Sequence, residues 1–234
     1  IPFIYFFYKK VFTKEYNLRF FLILILILFQ GLIGWYMVKS GLVEDVTVSH
    51  YRLSLHLLIA FIILSSLFWI LFNYFSSMNK KFFNNSKNFF SIKLFIFFIF
   101  SQIVFGAFVS GLDAGKIYQT WPLMNDSFFP NDLILKNIFD FFDFDHKSLV
   151  QFFHRSIAYL IFLLILFIGY EISRKKLKNL LKPYFFVFTF VLIQIFLGIF
   201  TLTSGLNIYL ASLHQISSIF LTILSLNLYH TSIN

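Results

Sequence analysis

The stretch "QGLIGWYMVKSGL", Gln30 to Leu42, returns as "QIFLGIFTLTSGL", Gln194 to Leu206, with Gln, Gly, Ser, Gly and Leu at identical spacing. Each copy is followed by Ser-Leu-His, at Ser54-Leu55-His56 and at Ser212-Leu213-His214. Small and polar residues at fixed places among bulky apolar ones mark a feature built twice. The sequence around them is 59% hydrophobic, 23% aromatic and only 12% charged over 234 residues, which cannot describe a water-facing surface. Crossing a hydrocarbon core of roughly 30 Å takes about 20 apolar residues. Six such runs are present, near 18–38, 51–75, 93–112, 148–171, 184–203 and 208–229. The fold class expected is therefore all-α, a polytopic transmembrane helical protein. The 38 phenylalanines carry no functional weight, and the absence of cysteine excludes disulfides, thiolate metal ligands and thiol redox chemistry.

Charge fixes the expected orientation. Lys9, Lys10, Lys14 and Arg19, then Lys80, Lys81, Lys87 and Lys93, then Arg174, Lys175, Lys176, Lys178 and Lys182 fall at every second connection, the cytoplasmic side by the positive-inside rule. Glu44 and Asp45, then Asp113, Asp126, Asp132, Asp140, Asp143 and Asp145, occupy the others and face outward. The net charge of +9 reads as a topology signal; the partner it implies is the lipid bilayer, with no nucleic acid.

Histidines then sort by depth. Ser49, Ser148 and Asn207 are plausible N-caps where the chain re-enters from outside, and His56, His154 and His214 follow within two turns, in one layer. His50, His146 and His230 sit in loops or at a helix end, where solvated roles are expected. Ionisable groups inside spanning helices default to function. Zinc or non-haem iron wants further His, Cys or carboxylates in the same layer. Paired imidazoles from two helices suit axial ligation of haem iron. Ser54, Ala158, Ala211, Ser217, Ser218, Gly34 and Gly198 either admit a flat macrocycle or serve as helix-packing contacts.

His154 precedes Gln194 by forty residues, and the same interval counted back from Gln30 falls before Ile1. The repeat thus implies two pseudo-symmetric four-helix bundles with the first incomplete. Residues 1–75 are expected to be a remnant of the N-terminal unit, 76–92 a cytoplasmic linker and 93–234 the complete C-terminal unit, with "SGL" at Ser110 to Leu112 marking its first helix.

The segments "GLIGWYMVKSGL" (Gly31 to Leu42), "VSHYRLSLH" (Val48 to His56), "FGAFVSGLDAGKIYQTWPLMN" (Phe105 to Asn125), "QFFHR" (Gln151 to Arg155) and "LASLHQ" (Leu210 to Gln215) together resemble the haem A synthase family, in its cysteine-free alphaproteobacterial and mitochondrial class. The resemblance implies an N-terminally truncated member of a membrane oxidoreductase that converts a methyl group of haem O to the formyl group of haem A for cytochrome oxidase. It implies haem B as cofactor, with His154 and His214 as its iron ligands, and His56 at the substrate haem. The family's helix-two motif, which supplies a glutamate and the partner of His56, has no counterpart between Ile1 and Asn234. Implied partners are haem O, haem O synthase and oxidase-assembly proteins; the implied location is the bacterial inner membrane, with the histidine layer toward the periplasm.

Arg52, one turn before His56, and Arg155, beside His154, either neutralise haem propionates or anchor the helices at the interface. Gln151 orients the His154 ligand or a propionate. Lys116, Tyr118 and Trp121 either cover the haem edge or simply collect at the interface. Oxidising a methyl on a conjugated ring is cofactor work, and a bis-histidine haem suits electron transfer; the resemblance implies a hydroxymethyl intermediate on the substrate. Two rival readings are a dihaem b-type electron-transfer protein and a non-catalytic haem carrier or oxidase-assembly factor.

Overall fold

The computed structural model describes residues 2–41, 48–83, 90–134 and 137–233. Leu42, Glu44, Asp45 and Lys87, named above, lie outside the described residues. The described residues form α1 (Pro2–Tyr8), α2 (Lys14–Gly41), α3 (His50–Ser76), α4 (Phe90–Gly111), α5 (Lys147–Arg174), α6 (Lys178–Thr203) and α7 (Ile208–Ser232), with two short 3-10 turns between α4 and α5. Helices α2 to α7 are the six that are long and apolar enough to cross a membrane, so the chain is a multi-pass membrane protein of all-α class. In lipid a helix satisfies its backbone groups internally, which is why uninterrupted apolar runs become helices here.

Helices α2 to α6 each start one to six residues before the apolar run expected for them, and α7 starts at Ile208 as expected. The cap of α5 is His146, two residues before Ser148, whose hydroxyl is instead turned to Asp132. Helix α6 begins at Lys178, well before 184, and tolerates Pro183 near its start, where a proline gives up one backbone bond. Asn207 caps α7 as expected, its side chain accepting from Tyr209 N and Leu210 N.

Packing closes a ring: α4 lies on α5, α5 on α6, α6 on α7 and α7 back on α4. Helices α5 and α7, which carry His154 and His214, are therefore diagonal partners, and α4 and α6 form the other diagonal. Phe95, Ile99, Ile165, Ile168, Val187 and Leu226 fill the centre toward the basic end. Lipid tails are as apolar as these side chains, so close packing holds the bundle together. Helix α3 leans on α4 and α7, and α2 packs on α3, with Ile23, Ile59 and Ile63 between them.

A polar knot fastens α3 to α7 at the basic end. The Asn73 amide donates to Lys80 O (3.1 Å) while its oxygen accepts from Lys80 N (3.0 Å) and lies 3.0 Å from His230 Nε2. Lys80 Nζ donates to His230 O (2.9 Å), Trp69 Nε1 to Lys80 O (3.0 Å) and Tyr229 Oη to Phe82 O (2.7 Å). Burial depresses the Lys80 ammonium below its ordinary pKa. His230 is 5% exposed, so the solvated role expected for it is corrected: it is a buried member of this knot. His50 is likewise buried, against Gly111 and Phe108, with Nε2 3.5 Å from Asp145 Oδ1.

Candidate functional site

Three histidines occupy the same place in three helical hairpins. The ring of His56 on α3 lies against Gly34 of α2, that of His154 on α5 against Gly106 of α4, and that of His214 on α7 against Gly198 of α6. A Cβ added at those glycines would stand 3.1, 3.2 and 3.3 Å from the respective Cε1 atoms, tighter than ordinary contact. The glycines thus seat imidazoles. At Gly34 and Gly198 the imidazole of the neighbouring helix takes the space a side chain would need, so both glycines are helix-packing contacts.

Each of these rings buries its Nδ1 without a hydrogen-bond partner. Buried polar atoms are nearly always paired, so the recurrence of the same atom at three equivalent positions is notable, although His146 Nδ1 and His50 Nε2 share the feature. His154 and His214 stand on diagonal helices of the ring formed by α4 to α7. Among the described residues no three His, Asp or Glu side chains converge on a point that could hold a bare metal ion. Two imidazoles from opposite helices, each held against glycine, fit a planar macrocycle ligated from both faces; they do not supply the three or four ligands of zinc.

Gln102 and Gly106 were missed in the sequence. The signal was present: Gln-x3-Gly occurs at 102–106 as it does at 30–34 and 194–198, so the hairpin is built three times. In the third copy Gln194 Nε2 donates to His214 O (3.0 Å) and to Ser217 Oγ (2.7 Å), tying α6 to the helix that bears the histidine. In the second, Gln102 Nε2 stands 3.2 Å from His154 Nε2.

Arg155 and Gln151 face the loop between α4 and α5. Gln151, 3% exposed, donates to Tyr118 O (2.8 Å). Arg155 donates to the same carbonyl (2.8 Å), to Thr120 O (2.9 Å) and to Leu123 O (3.3 Å). These two side chains clamp residues 118–123 over the N-terminal end of α5, one turn from His154. Tyr118 Oη and Ser148 Oγ both donate to the Asp132 carboxylate, at 2.5 and 2.6 Å. Burial raises the Tyr118 hydroxyl above its ordinary pKa, and its bond to Asp132 adds to that. Tyr118 itself is buried, whereas Trp121 is 47% exposed and Lys116 pairs with Asp113 at 2.9 Å. Arg52 stacks its guanidinium 4.8 Å from the centre of the Tyr36 ring, joining α3 to α2 near His56.

Comparison with known proteins places the chain among its relatives. Residues 1–226 match the family model described as cytochrome oxidase assembly protein, COX15-CtaA. A relative from Pelagibacter ubique named heme A synthase is 44% identical over 94% of this chain and 64% of its own length. Relatives of the same name from Wolbachia pipientis wMel (39%; 94% of this chain, 62% of the relative) and Flavobacterium psychrophilum (40%; 92% and 64%) are similar. The chain spans less than two thirds of the length of each. The three Gly–His hairpins belong to the region those relatives share with it, and the chain belongs to the COX15-CtaA family of cytochrome oxidase assembly proteins.

Proposed function

We propose that this chain serves haem A synthesis, oxidising a methyl group of haem O to a formyl group, with a haem B held between His154 and His214 and the substrate haem beside His56. The observation that supports it best is the diagonal pair of glycine-seated imidazoles in the α4–α7 ring. Residues 93–234 then form the haem B unit, 1–75 belong to the substrate side, and 76–92 connect them in the cytoplasm. The basic ends of the helices face the cytoplasm and the histidine layer lies toward the periplasm.

When bound, haem B supplies one-electron redox capacity that no side chain here possesses. The residues do the remainder. His154 and His214 present neutral nitrogens from opposite helices. Gly106 and Gly198 let the rings lie flat against α4 and α6. Gln194 fixes the backbone of His214 through its carbonyl and Ser217. Arg155 and Gln151 hold the Tyr118–Leu123 backbone across the end of α5, and Arg155 is the cation there that could pair with a haem propionate. His56, seated like the other two, faces the substrate unit.

A version of the chain extended to the length of its relatives, expressed in membranes that contain haem O and make no haem A, tests this directly. Formyl haem in the extracted pigments, lost on His154→Ala, is the expected result. Recovery of unmodified haem with reversible reduction points to a b-type electron carrier, and unmodified haem O without redox cycling to a carrier; either contradicts the proposal.

A further inference from the structure

Gln102 and Gln194 stand at matching places, each one turn before the glycine that seats a histidine ring, yet their amides end differently. Gln194 finds the carbonyl of His214 and the hydroxyl of Ser217, three residues beyond that histidine. Three residues beyond His154 stands Ile157, which offers no acceptor. The Gln102 amide turns to the imidazole instead: its Nε2 lies 3.2 Å from Nε2 of His154, and its Oε1 is buried without a partner. An amide nitrogen only donates, so in this orientation it takes the lone pair of His154 Nε2. With the amide turned over, its oxygen would hold a proton on the same Nε2. Both orientations engage the nitrogen. An imidazole nitrogen has one such site, so this contact and an iron bond at Nε2 exclude each other. Nδ1 offers no substitute, because it is buried against Gly106.

We propose that Gln102 gates His154: it must withdraw from Nε2 before that nitrogen can bind iron, so His214, whose ring nitrogens no side chain engages among the described residues, ligates first and His154 second. This rests on the haem reading above and deepens it by giving the two ligands an order and naming the residue that sets it. The asymmetry follows from Ser217 against Ile157 at equivalent positions.

The test mixes the purified full chain with haem B and follows formation of the six-coordinate low-spin spectrum. Gln102→Leu removes the amide, and Gln102→Asn withdraws it by one methylene. Both are expected to reach the low-spin spectrum about three- to tenfold faster than wild type, the worth of one neutral hydrogen bond. Nitrogen-15 NMR of histidine-labelled protein without haem gives a second readout, in which the Nε2 signal of His154, assigned with His154→Ala, shifts in both variants. Rates equal to wild type with the low-spin spectrum intact overturn the gate and leave the haem reading standing. A slower or less complete low-spin spectrum in both variants overturns it also, because Gln102 would then support ligation. A wild-type chain that forms no low-spin spectrum removes the haem reading and the gate together.

Discussion

Replacing Gly106 with alanine tests the seat of the ring directly, because the added Cβ meets His154. A Cβ at position 106 would stand 3.2 Å from Cε1 and 3.8 Å from Nδ1 of His154. Carbon pairs rest at about 3.5–4.0 Å, so the ring must retreat by about 0.3–0.8 Å. A functional group keeps its working geometry within about 0.5 Å, so the retreat reaches the limit of what ligation tolerates. Overpacking of this kind costs about 1–3 kcal/mol, and at about 1.4 kcal/mol per factor of ten the haem affinity should fall roughly 5- to 150-fold. The helix itself gains about 0.5–1 kcal/mol, since alanine is a better helix former than glycine. Haem-free Gly106→Ala is therefore expected to melt at or somewhat below wild type, the helix gain offsetting part of the crowding, while titration with haem B shows at least a fivefold loss of affinity. Gly31→Ala is the matched control: nothing lies within 4 Å of its added Cβ, and its affinity should equal that of wild type. Unchanged affinity in Gly106→Ala, or an equal loss in Gly31→Ala, would refute the idea that the glycine exists to seat the ring.

Asn73→Leu strands Lys80 N and the ring of His230 in the knot between α3 and α7. At about 1–3 kcal/mol for each stranded group the melting temperature in detergent should drop by at least about 4 °C, and an unchanged melt would show the knot is incidental. Arg155→Met leaves three loop carbonyls without their donor. Protease cleavage between residues 118 and 123 should rise severalfold in intact membrane vesicles whose outer face is accessible; protection equal to wild type contradicts the clamp. Burial alone would raise the Asp132 carboxyl, but the hydrogen bonds from Ser148 and Tyr118 outweigh it and hold its pKa below the ordinary 3.8. A depressed value means the contribution is complete above the ordinary carboxylate range and is lost as pH falls through the folded value. Trp121 fluorescence, with Trp35 and Trp69 replaced by Phe, should stay flat from about pH 8 to 5 and change only below about pH 4; a transition near neutral pH would assign loop docking to another group.

Most of the architecture was legible because lipid imposes a severe rule on backbone: six apolar runs had to become six helices. The three deep histidines were legible for the same reason, since an ionisable residue in a span is costly enough to need a purpose. What escaped was side-chain direction. His230 and His50 look like end residues by position, yet the helices beside them bury both; a one-dimensional depth estimate contains no neighbouring helix. Arg155 and Gln151 were placed correctly on α5, but a basic residue beside a ligand gives no hint that loop carbonyls of Tyr118, Thr120 and Leu123 will meet it. Gly106 and Gln102 escaped for a different reason. Their hairpin lacks the six-residue interval from Gly to Ser-Gly-Leu that aligns the other two copies, so the repeat was counted as two when the Gln-x3-Gly spacing marks three.

The claim on which the account turns is that His154 and His214 together hold one haem. Pyridine haemochrome quantification and the low-spin spectrum of the purified chain, alongside His154→Ala, His214→Ala and His146→Ala, address it most directly. The expected result is a low-spin haem in wild type and in His146→Ala, lost in each of the other two variants. Persistence of the low-spin spectrum in both His154→Ala and His214→Ala would contradict the assignment.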